Sequence, residues 1–573
     1  MKKIYFGALV ATVAMSAAVS LSSCEDMLEP ESDLIMYPED NQLDTPYDTL
    51  YSVVGVLHQM QAVLDRTNLL GEVRADLVTL TGSASKDLQE LASSQVSTAN
   101  AYNNPQDYYA IINNCNYYID NADSTYVKQG VRVFERELAL IHTYRAWTYL
   151  QLALNYGEIP FYTHFLGTQS EADEVLKQPR LSIAQVCAEL IDDLLPWAYT
   201  KRLSYQSSFG SYNISNMYMS PKLILGELYL WSGQYEEAAF WYHEYLTDKD
   251  DPLPVGGSPA KRTYANGVYS SSTSYRASTG IYLPYESDAM YGTVSYLLDM
   301  YESNADNNLY YEITYSQSAL ERSMSQRAVL VVVNEKMERD TLEFPAFSTD
   351  AFFTGDLRLG SVVSVRAINN GKNWNTSYQT ISKLSSSSYL LYRVNMVYLR
   401  YAEALNRAGY PTAAFAVLKY GLCEDNIEKR ASGSPINADE AARAGQLIYF
   451  DPNYFIGTDY SSGMNGTATS GNTIGIHAMG GTAVDADTTY VIPQLASMAD
   501  TVQWVEEKIV EEMALESIFD GTRFYDLMRV AMRRDDNSFL ANTIAARDGS
   551  GAVNKELQSR LMDRTNWFLP FQK

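Results

Sequence analysis

The stretch PKLILGELYLWSGQYEEAAFWYHEYL, residues 221–246, decides the fold. Apolar residues recur at three- and four-residue spacing on both sides of Gly233, which predicts two helices joined by a turn at that glycine. Gly226 on the first helix and Ala238 on the second are small enough to let antiparallel helices approach closely. Tyr242 is one of the aromatic residues that would fill the remaining space. The stretch therefore predicts a helix–turn–helix hairpin.

The same pattern returns at residues 398–421, where Ala402, Gly409 and Ala414 occupy matching positions. A looser copy lies on a predicted helix over residues 131–156. These side-chain sizes and offsets are those of the tetratricopeptide repeat. Further helical periodicity is seen over residues 47–70, 106–122 and 182–200. The predicted fold class is mainly α: a tetratricopeptide-like helical repeat scaffold.

Between the two clear repeats the composition changes. Residues 251–296 are rich in Pro, Gly, Ser and Tyr, and residues 327–335 (RAVLVVVNE) predict a short buried strand. An Asn-Asn-Gly turn at 369–371 predicts a hairpin between segments 361–368 and 378–384. Residues 457–483 hold seven glycines and are expected to form no core element. The scaffold is therefore expected to carry long irregular loop insertions and a few short β-strands.

These patterns predict one folded domain over residues 47–573. Helical repeats are expected at about 131–250 and 397–532, with a loop-rich insertion on the ligand side at about 251–396. Long loops on a rigid scaffold are where recognition usually lies.

The composition excludes some function classes. The 573 residues include 46% hydrophobic and 20% charged residues, enough for a packed core. Lys+Arg 43 against Asp+Glu 69 gives a net charge of −26, which repels phosphate backbones and argues against nucleic-acid binding. The chain has 45 Tyr against 18 Phe and 7 Trp, an excess that favours wet, aromatic binding surfaces.

The N-terminus has the layout of a secretory signal. Lys2 and Lys3 precede an apolar run over residues 4–19, and Leu-Ser-Ser-Cys ends at Cys24. This order is typical of a bacterial lipoprotein, in which the cysteine is acylated with palmitate-type chains. We expect residues 1–23 to be a signal peptide, Cys24 to carry the lipid, and residues 24–46 to form a tether. A plain secretory signal is the alternative.

No motif for catalysis or cofactor binding is found. The sequence has no Walker A loop, GxGxxG, GxSxG or HExxH, and its five His residues are scattered. Cys115, Cys187 and Cys423 lack metal-ligand spacing and are expected to be buried small residues. No catalytic residue, cofactor or metal site is predicted.

Several charged residues lie on predicted helices close to partners of opposite charge. We interpret them as ion pairs between packed helices rather than acid–base catalysts. They are Glu403, Arg407, Glu511, Glu516, Arg523, Asp526 and Arg529.

Ordered motifs along nearly the whole chain resemble the SusD/RagB family of outer-membrane nutrient-binding lipoproteins. The most specific are LRYAEALNR at 399–407 and EEMALESIFDGTRFYDLMR at 511–529. The others are CEDML at 24–28, LGEVRAD at 70–76, RAW at 145–147, NYGEIP at 155–160, DLR at 356–358 and WFLP at 567–570.

The resemblance implies a function without chemistry. Members of this family are anchored by lipid to the cell outer membrane and face the exterior. They capture an oligosaccharide or a peptide and pass it to a SusC-like TonB-dependent transporter. Four tetratricopeptide-like pairs would pack against the transporter, and the ligand would bind on the loop-rich side.

A glycan site needs exposed aromatic rings on loops, mixed with amides, carboxylates or guanidinium groups. Three loop segments meet this requirement, one after the first helix, one at 264–296 and one at 369–378. The hypothesis is a platform built on Trp374 with one or more of the tyrosines. The candidate ligand-binding residues are Arg74, Asp76, Tyr102, Asn103, Tyr269, Tyr275, Tyr282 and Trp374.

Two alternatives remain open. A surface-anchored glycoside hydrolase would need two carboxylates about 5–10 Å apart in an aromatic cleft. A scaffold that binds only protein would leave the tyrosine-rich loops without a role.

Overall fold

The structure is a computed structural model. It describes residues 46–202, 208–209, 212–213, 218–248, 261–265, 268–272, 280–284, 295–303, 311–333, 336, 338–344, 354–368, 376–384, 388–422, 436–450, 475–482 and 487–571. The chain divides into two units, Met1–Thr49 and Leu50–Lys573. All elements below belong to the second unit, apart from the first four residues of helix α1.

Helices form most of the described chain. They are α1 Pro46–Glu72, α2 Lys86–Ala92, α3 Pro105–Asn121, α4 Glu135–Tyr156, α5 Gln169–Leu176, α6 Ile183–Leu194, α7 Pro221–Ser232, α8 Tyr235–Thr247, α9 Leu297–Tyr301, α10 Gln317–Ser325, α11 Arg358–Val362, α12 Val394–Arg407, α13 Pro411–Lys419, α14 Ala438–Ala444, α15 Met498–Glu516, α16 Arg523–Arg534, α17 Asn537–Ala545 and α18 Lys555–Leu561. Short 3₁₀ turns lie at Leu195–Trp197, Gly445–Ile448, Ile476–Gly480 and Arg564–Trp567.

The described strands pair as two-stranded antiparallel ribbons, β1 with β9, β2 with β3, β4 with β5, β6 with β7, β8 with β14, β10 with β11 and β12 with β13. Their bounds are β1 Val78–Leu80, β2 Val127–Lys128, β3 Val131–Arg132, β4 Ser208–Phe209, β5 Tyr212–Asn213, β6 Lys261–Ala265, β7 Val268–Ser272, β8 Gly280–Pro284, β9 Ile313–Tyr315, β10 Ala328–Val333, β11 Arg339–Phe344, β12 Val363–Ile368, β13 Thr376–Ile381 and β14 Ser388–Arg393. The mainly α fold class with a few short strands is confirmed.

Helices α7 and α8 form the hairpin that the 221–246 stretch predicts. A Cβ on Gly226 would lie 2.7 Å from the Tyr242 ring, so only glycine fits there. Gly233 ends α7 in the left-handed region (φ 82°), which glycine adopts without strain. The Tyr242 hydroxyl donates to Glu227 Oε1 at 2.7 Å, which satisfies the polar end of a buried ring. The second copy, α12 with α13, turns at Gly409 (φ 89°).

The hairpins continue into a stack. Along it, α3 packs on α4, α4 on α6, α6 on α7, α8 on α12, and α12 on α13 and α15. Every residue of α4 from Glu137 to Tyr156 is buried, so this helix is surrounded by its neighbours. It ends at Gly157, which has a positive φ (76°) and leaves room for the Phe568 ring where a side chain would stand.

Charged side chains hold the stack to its neighbours. Arg358 donates to Asp356 at 2.8 Å and to Glu512 at 2.7 Å, and Arg393 donates to Glu516 at 2.6 Å and also pairs with Asp520. All six side chains are almost completely buried. We call this cluster the ionic core: Asp356, Arg358, Arg393, Glu512, Glu516 and Asp520.

The predicted ion-paired packing is confirmed for the signature residues. Arg529 donates from Nε to Glu403 at 2.9 Å and from Nη2 to Asp526 at 2.8 Å. Arg523 pairs with Asp76, and Arg407 with Glu506. Glu516 belongs to the ionic core, and Glu511 accepts from Lys508 at 2.8 Å. Most partners come from another element rather than from the next turn of the same helix.

Two expectations differ from the structure. The predicted helix over 131–156 begins at Glu135, because Gln129 and Gly130 (φ 53° and 79°) turn a small β2–β3 hairpin before it. The expectation that 457–483 forms no core element is wrong for Ile476–Gly480, which is a buried 3₁₀ turn. His477 there hydrogen-bonds with Glu512, which anchors this glycine-rich stretch in the core.

The predictions of short strands are confirmed. Residues 327–335 contain β10, and the segments around the Asn-Asn-Gly sequence form the antiparallel pair β12–β13. The turn itself, at 369–371, lies outside the described residues.

Candidate ligand-binding surface

An exposed tyrosine lies where α9 meets α1. The Asp65 carboxylate of α1 accepts hydrogen bonds from Ser295 Oγ at 2.9 Å and from the Tyr296 backbone N–H at 2.8 Å. These bonds fix the entry to α9, and Tyr301 at its end donates to Asn68 of α1 at 3.0 Å. As a whole residue, Tyr296 is 62% exposed. Its backbone is thus anchored while its ring remains available to a ligand.

A second tyrosine is carried by the loop between α2 and α3. The Glu90 carboxylate accepts from the Ser97 N–H at 2.9 Å, the Ser97 hydroxyl at 2.7 Å and Asn100 Nδ2 at 3.1 Å. These bonds stabilise the charged carboxylate and lower the pKa of Glu90 to about 2. Asn100 also accepts from the Tyr102 N–H at 3.0 Å. The loop that carries Tyr102 is therefore held by its own hydrogen bonds.

The Asp65 carboxylate acts on both tyrosines. Burial raises the pKa of the half-buried Tyr102, and the negative charges of Glu312, Asp87 and Asp65 raise it further. Asp65 is also the residue that anchors Tyr296. We call this set the tyrosine surface: Tyr102, Tyr296, Asp65, Asp87 and Glu312.

The carboxylates of the tyrosine surface are engaged by the loops around them. Glu312 Oε1 accepts from the Ser85 N–H at 2.6 Å, and Asp87 Oδ1 accepts from the Ala101 N–H at 3.3 Å. Their negative charge disfavours a polyanionic ligand. A neutral ligand with flat C–H faces and hydroxyl groups fits this surface, because tyrosine rings offer stacking and the carboxylates accept hydrogen bonds.

Three of the predicted ligand residues do not reach this surface. Asp76 is completely buried and pairs with Arg523 at 2.7 Å and Arg322 at 3.3 Å. Burial opposes its charge, but the two arginines outweigh burial and hold the pKa of Asp76 below its usual value.

Asn103 is also buried, and its side-chain amide donates to the Pro570 carbonyl at 3.0 Å, which ties the loop to the C-terminal segment. The Arg74 guanidinium lies 3.8 Å from the centroid of the Phe524 ring and donates to the Trp567 carbonyl. Arg74, Asp76 and Asn103 are therefore buried rather than exposed on the tyrosine surface, and a ligand-binding role for them stays a prediction. Tyr102 is placed on the surface.

The other predicted ligand residues are described only in part. Trp374 and Tyr275 lie outside the described residues, as do Cys24 and Cys423. Tyr269 belongs to strand β7 and Tyr282 to strand β8, for which the backbone pairing is described.

Tyr296 is a functional candidate that sequence reasoning placed in the tyrosine-rich 264–296 segment without choosing it. The available signal was its position next to the helical run 297–301, since an exposed ring at a helix entry is better fixed than one within a loop. Its partner, Asp65, is 231 residues away along the chain, and no sequence pattern links the two.

Other features of the described chain bear on function. Cys115 and Cys187 are free and buried, and burial raises the pKa of both thiols. Within the described ranges, no group of three or more His, Cys, Asp or Glu side chains is arranged to hold a metal ion. In the same ranges, none of the helices combines the length and apolar character needed to span a bilayer.

Solved structures share this fold. No protein-family profile and no curated protein matches the sequence. A SusD superfamily protein from Bacteroides vulgatus aligns with a TM-score of 0.54 at 12% identity, over 91% of this chain and 92% of that one. A SusD superfamily protein from Bacteroides thetaiotaomicron aligns with a TM-score of 0.52 at 14% identity, over 91% and 93%.

A SusD-like carbohydrate-binding protein from Bacteroides fragilis aligns with a TM-score of 0.50 at 11% identity, over 86% of this chain and 88% of that one. These likenesses, spread over nearly the whole chain, show that it has the SusD-superfamily fold.

Proposed function

We propose that this protein binds a neutral oligosaccharide on the tyrosine surface and delivers it, chemically unchanged, to a partner transporter. The observation that carries the proposal is Tyr296, a residue that is 62% exposed and whose backbone N–H is held by Asp65, a carboxylate that also raises the pKa of Tyr102. A ring with a fixed backbone loses little entropy when a sugar stacks on it. The SusD-superfamily fold supports the proposal, because one solved protein of this fold is a carbohydrate-binding protein.

Binding without catalysis is favoured by where the carboxylates lie. Glu512 and Glu516 have arginine partners and side chains at most 2% exposed, so no substrate reaches them. Each of the three carboxylates on the tyrosine surface accepts a hydrogen bond from a loop N–H. We infer that these carboxylates position the loops rather than exchange protons with a substrate.

The N-terminal signal, the lipid on Cys24 and the outer-membrane location belong to the same proposal. A chain held by several acyl groups would remain at the membrane surface, close to a TonB-dependent transporter of the SusC type. Cys24→Ala should abolish incorporation of labelled palmitate in cells and release the protein from the membrane fraction. If Cys24→Ala kept both the label and the membrane association, the proposed lipid anchor on Cys24 would be contradicted.

Titration of the purified protein with neutral oligosaccharides tests the binding. We expect saturable binding, and Trp374→Ala should weaken it about tenfold if that ring also contributes, since a stacked ring is worth ~1–2 kcal/mol. The recovered oligosaccharide should have its original length. Shortened products formed by the pure protein would replace this proposal with the hydrolase alternative.

A further inference from the structure

A separate pocket lies beside the C-terminal segment. Its volume is about 540 Å³, within the usual range for small-molecule sites. The walls come from the loop after α2, from the last turn of α18 with the segment that follows it, and from Arg74, which follows α1. The residues that matter for the argument are Arg74, Ser94, Gln95, Arg560, Asn566 and Phe568.

Arg74 in this pocket is a buried arginine without an ion pair to a carboxylate. Among the described buried arginines it shares this with Arg547, which donates to the Ala75 carbonyl and does not line the pocket. Arg145, Arg358, Arg393, Arg400, Arg523 and Arg529 are each buried and each form an ion pair with a carboxylate. Arg74 is 3% exposed, and among the described residues its polar partners are the Trp567 carbonyl and the Asn155 amide oxygen at 3.4 Å.

Burial without a carboxylate lowers the pKa of Arg74 to about 10. A buried cation without a counter-charge is costly, so an anion that reached it from solution would be stabilised.

The pocket as a whole is positive. The ten described residues that line it include two arginines, Arg74 and Arg560, and no Asp or Glu. Arg560 pairs at 2.7 Å with Glu556, whose side chain is 81% exposed and therefore well screened by water. In a chain with a net charge of −26, two guanidinium groups in one concave site form a local attraction for anions.

We propose that this pocket binds a small carboxylate that also carries hydroxyl groups, such as a sugar acid. The carboxylate would pair with Arg74 and Arg560, because guanidinium and carboxylate match in geometry and charge. Ser94, Gln95 and Asn566 supply hydrogen-bond groups for hydroxyls. Phe568, together with the nearby Leu569 and Pro570, supplies an apolar wall. The pocket shares none of its lining residues with the tyrosine surface.

Isothermal titration of the purified protein with D-glucuronate tests the proposal, with D-glucose as the neutral probe of the same ring and acetate as the carboxylate without hydroxyls. D-glucuronate should bind at least about tenfold more tightly than either, and more weakly as NaCl is raised. Arg560→Gln should lower the affinity about tenfold, since a charge-assisted hydrogen bond is lost. Arg74→Lys, which keeps the charge but not the planar fork, should lower it as well.

The matched control is Arg564→Gln. Arg564 lies in the same C-terminal segment and pairs with Asp535 at the surface, but it does not line the pocket. The proposal is overturned if the protein does not bind D-glucuronate, or binds glucose or acetate as tightly. It is also overturned if Arg564→Gln weakens binding as much as Arg560→Gln. If Arg74→Lys fails to fold, the comparison of Arg560→Gln with Arg564→Gln still tests whether the pocket binds D-glucuronate.

Discussion

Tyr296 and Tyr199 are almost equally exposed, at 62% and 65%, but lie in different regions of the molecule. Tyr199 follows α6 on the helical stack, where the Lys222 ammonium lies 5.1 Å from its ring centroid and the Trp241 ring centroid is 5.8 Å away. Tyr296 belongs to the tyrosine surface, and its ring contacts no aromatic or cationic group in the part of the chain that is described. Exposure alone therefore does not identify a stacking site.

The charged side chains of the ionic core and of the tyrosine surface also differ in their surroundings. In the ionic core, two arginines are buried with four carboxylates and pair with all of them, so these charges join elements of the helical stack. On the tyrosine surface, three carboxylates raise the pKa of Tyr102 and accept hydrogen bonds from loop N–H groups, and one of them, Asp65, holds the backbone of Tyr296. The first region stabilises the fold, and recognition is what we propose for the second.

The largest effect is expected from breaking a buried pair on the helical side. Arg529→Met removes the arginine that pairs with buried Glu403 and leaves Asp526 only the more distant Arg400, at 3.9 Å, which should lower the free energy of unfolding by about 3–5 kcal/mol. Urea denaturation followed by circular dichroism measures this change. Lys177→Met removes an exposed pair with Glu174 and should change the free energy by less than about 1 kcal/mol. Equal effects of the two substitutions would remove the distinction between core and surface charges.

The pH dependence of stability extends the distinction between core and surface charges to Glu72, a buried carboxyl beside the ionic core. Burial raises the pKa of Glu72 from 4.5 to about 8, although the Gly521 N–H donates to it at 2.8 Å. The folded state thus keeps a proton that the unfolded chain releases above about pH 4.5. This contribution to stability is complete below pH 4.5 and is lost as the pH rises through 8, at about 1.4 kcal/mol per pH unit.

Glu72→Gln removes this titration. Relative to the original protein, the variant should gain roughly 3 kcal/mol of unfolding free energy between pH 5 and pH 7.5. Urea denaturation at both pH values measures the gain. A constant difference across this range would mean that Glu72 is ionised in the folded protein.

Close packing of the repeat hairpin predicts a smaller loss. Gly226→Ala places a methyl group against the Tyr242 ring and should cost about 1–3 kcal/mol of unfolding free energy. Gly55 in α1 is exposed and has open space around it, so Gly55→Ala should stabilise by about 0.5–1 kcal/mol. Thermal denaturation of both variants tests the opposite signs. Stabilisation by Gly226→Ala would show that α7 and α8 are further apart than described.

The repeat hairpin and the structural role of the charged helix residues could be predicted from the sequence. Small residues at fixed offsets in 221–246 report helix contact directly, because the partners are close along the chain. The high glycine content led to a wrong prediction at Ile476–Gly480. There, glycine allows close contact, because a Cβ on Gly480 would clash with Asp356.

The candidate site was harder to predict, because its pieces are distant along the chain. Tyr102 was chosen from its loop context, but Asp76 looked equally polar and available in the sequence. Its burial depends on Arg523, a partner 447 residues away that only the fold brings into contact. Ligand residues on loops therefore cannot be separated from buried ion pairs by local pattern alone.

The most direct test of the account is the affinity of Tyr296→Ala for a neutral oligosaccharide ligand, measured by isothermal titration beside Tyr199→Ala. Loss of a stacking ring worth ~1–2 kcal/mol should weaken binding by Tyr296→Ala about tenfold. Tyr199→Ala should bind as the original protein does. Unchanged affinity in Tyr296→Ala, or an equal loss in Tyr199→Ala, would contradict the assignment of recognition to the tyrosine surface.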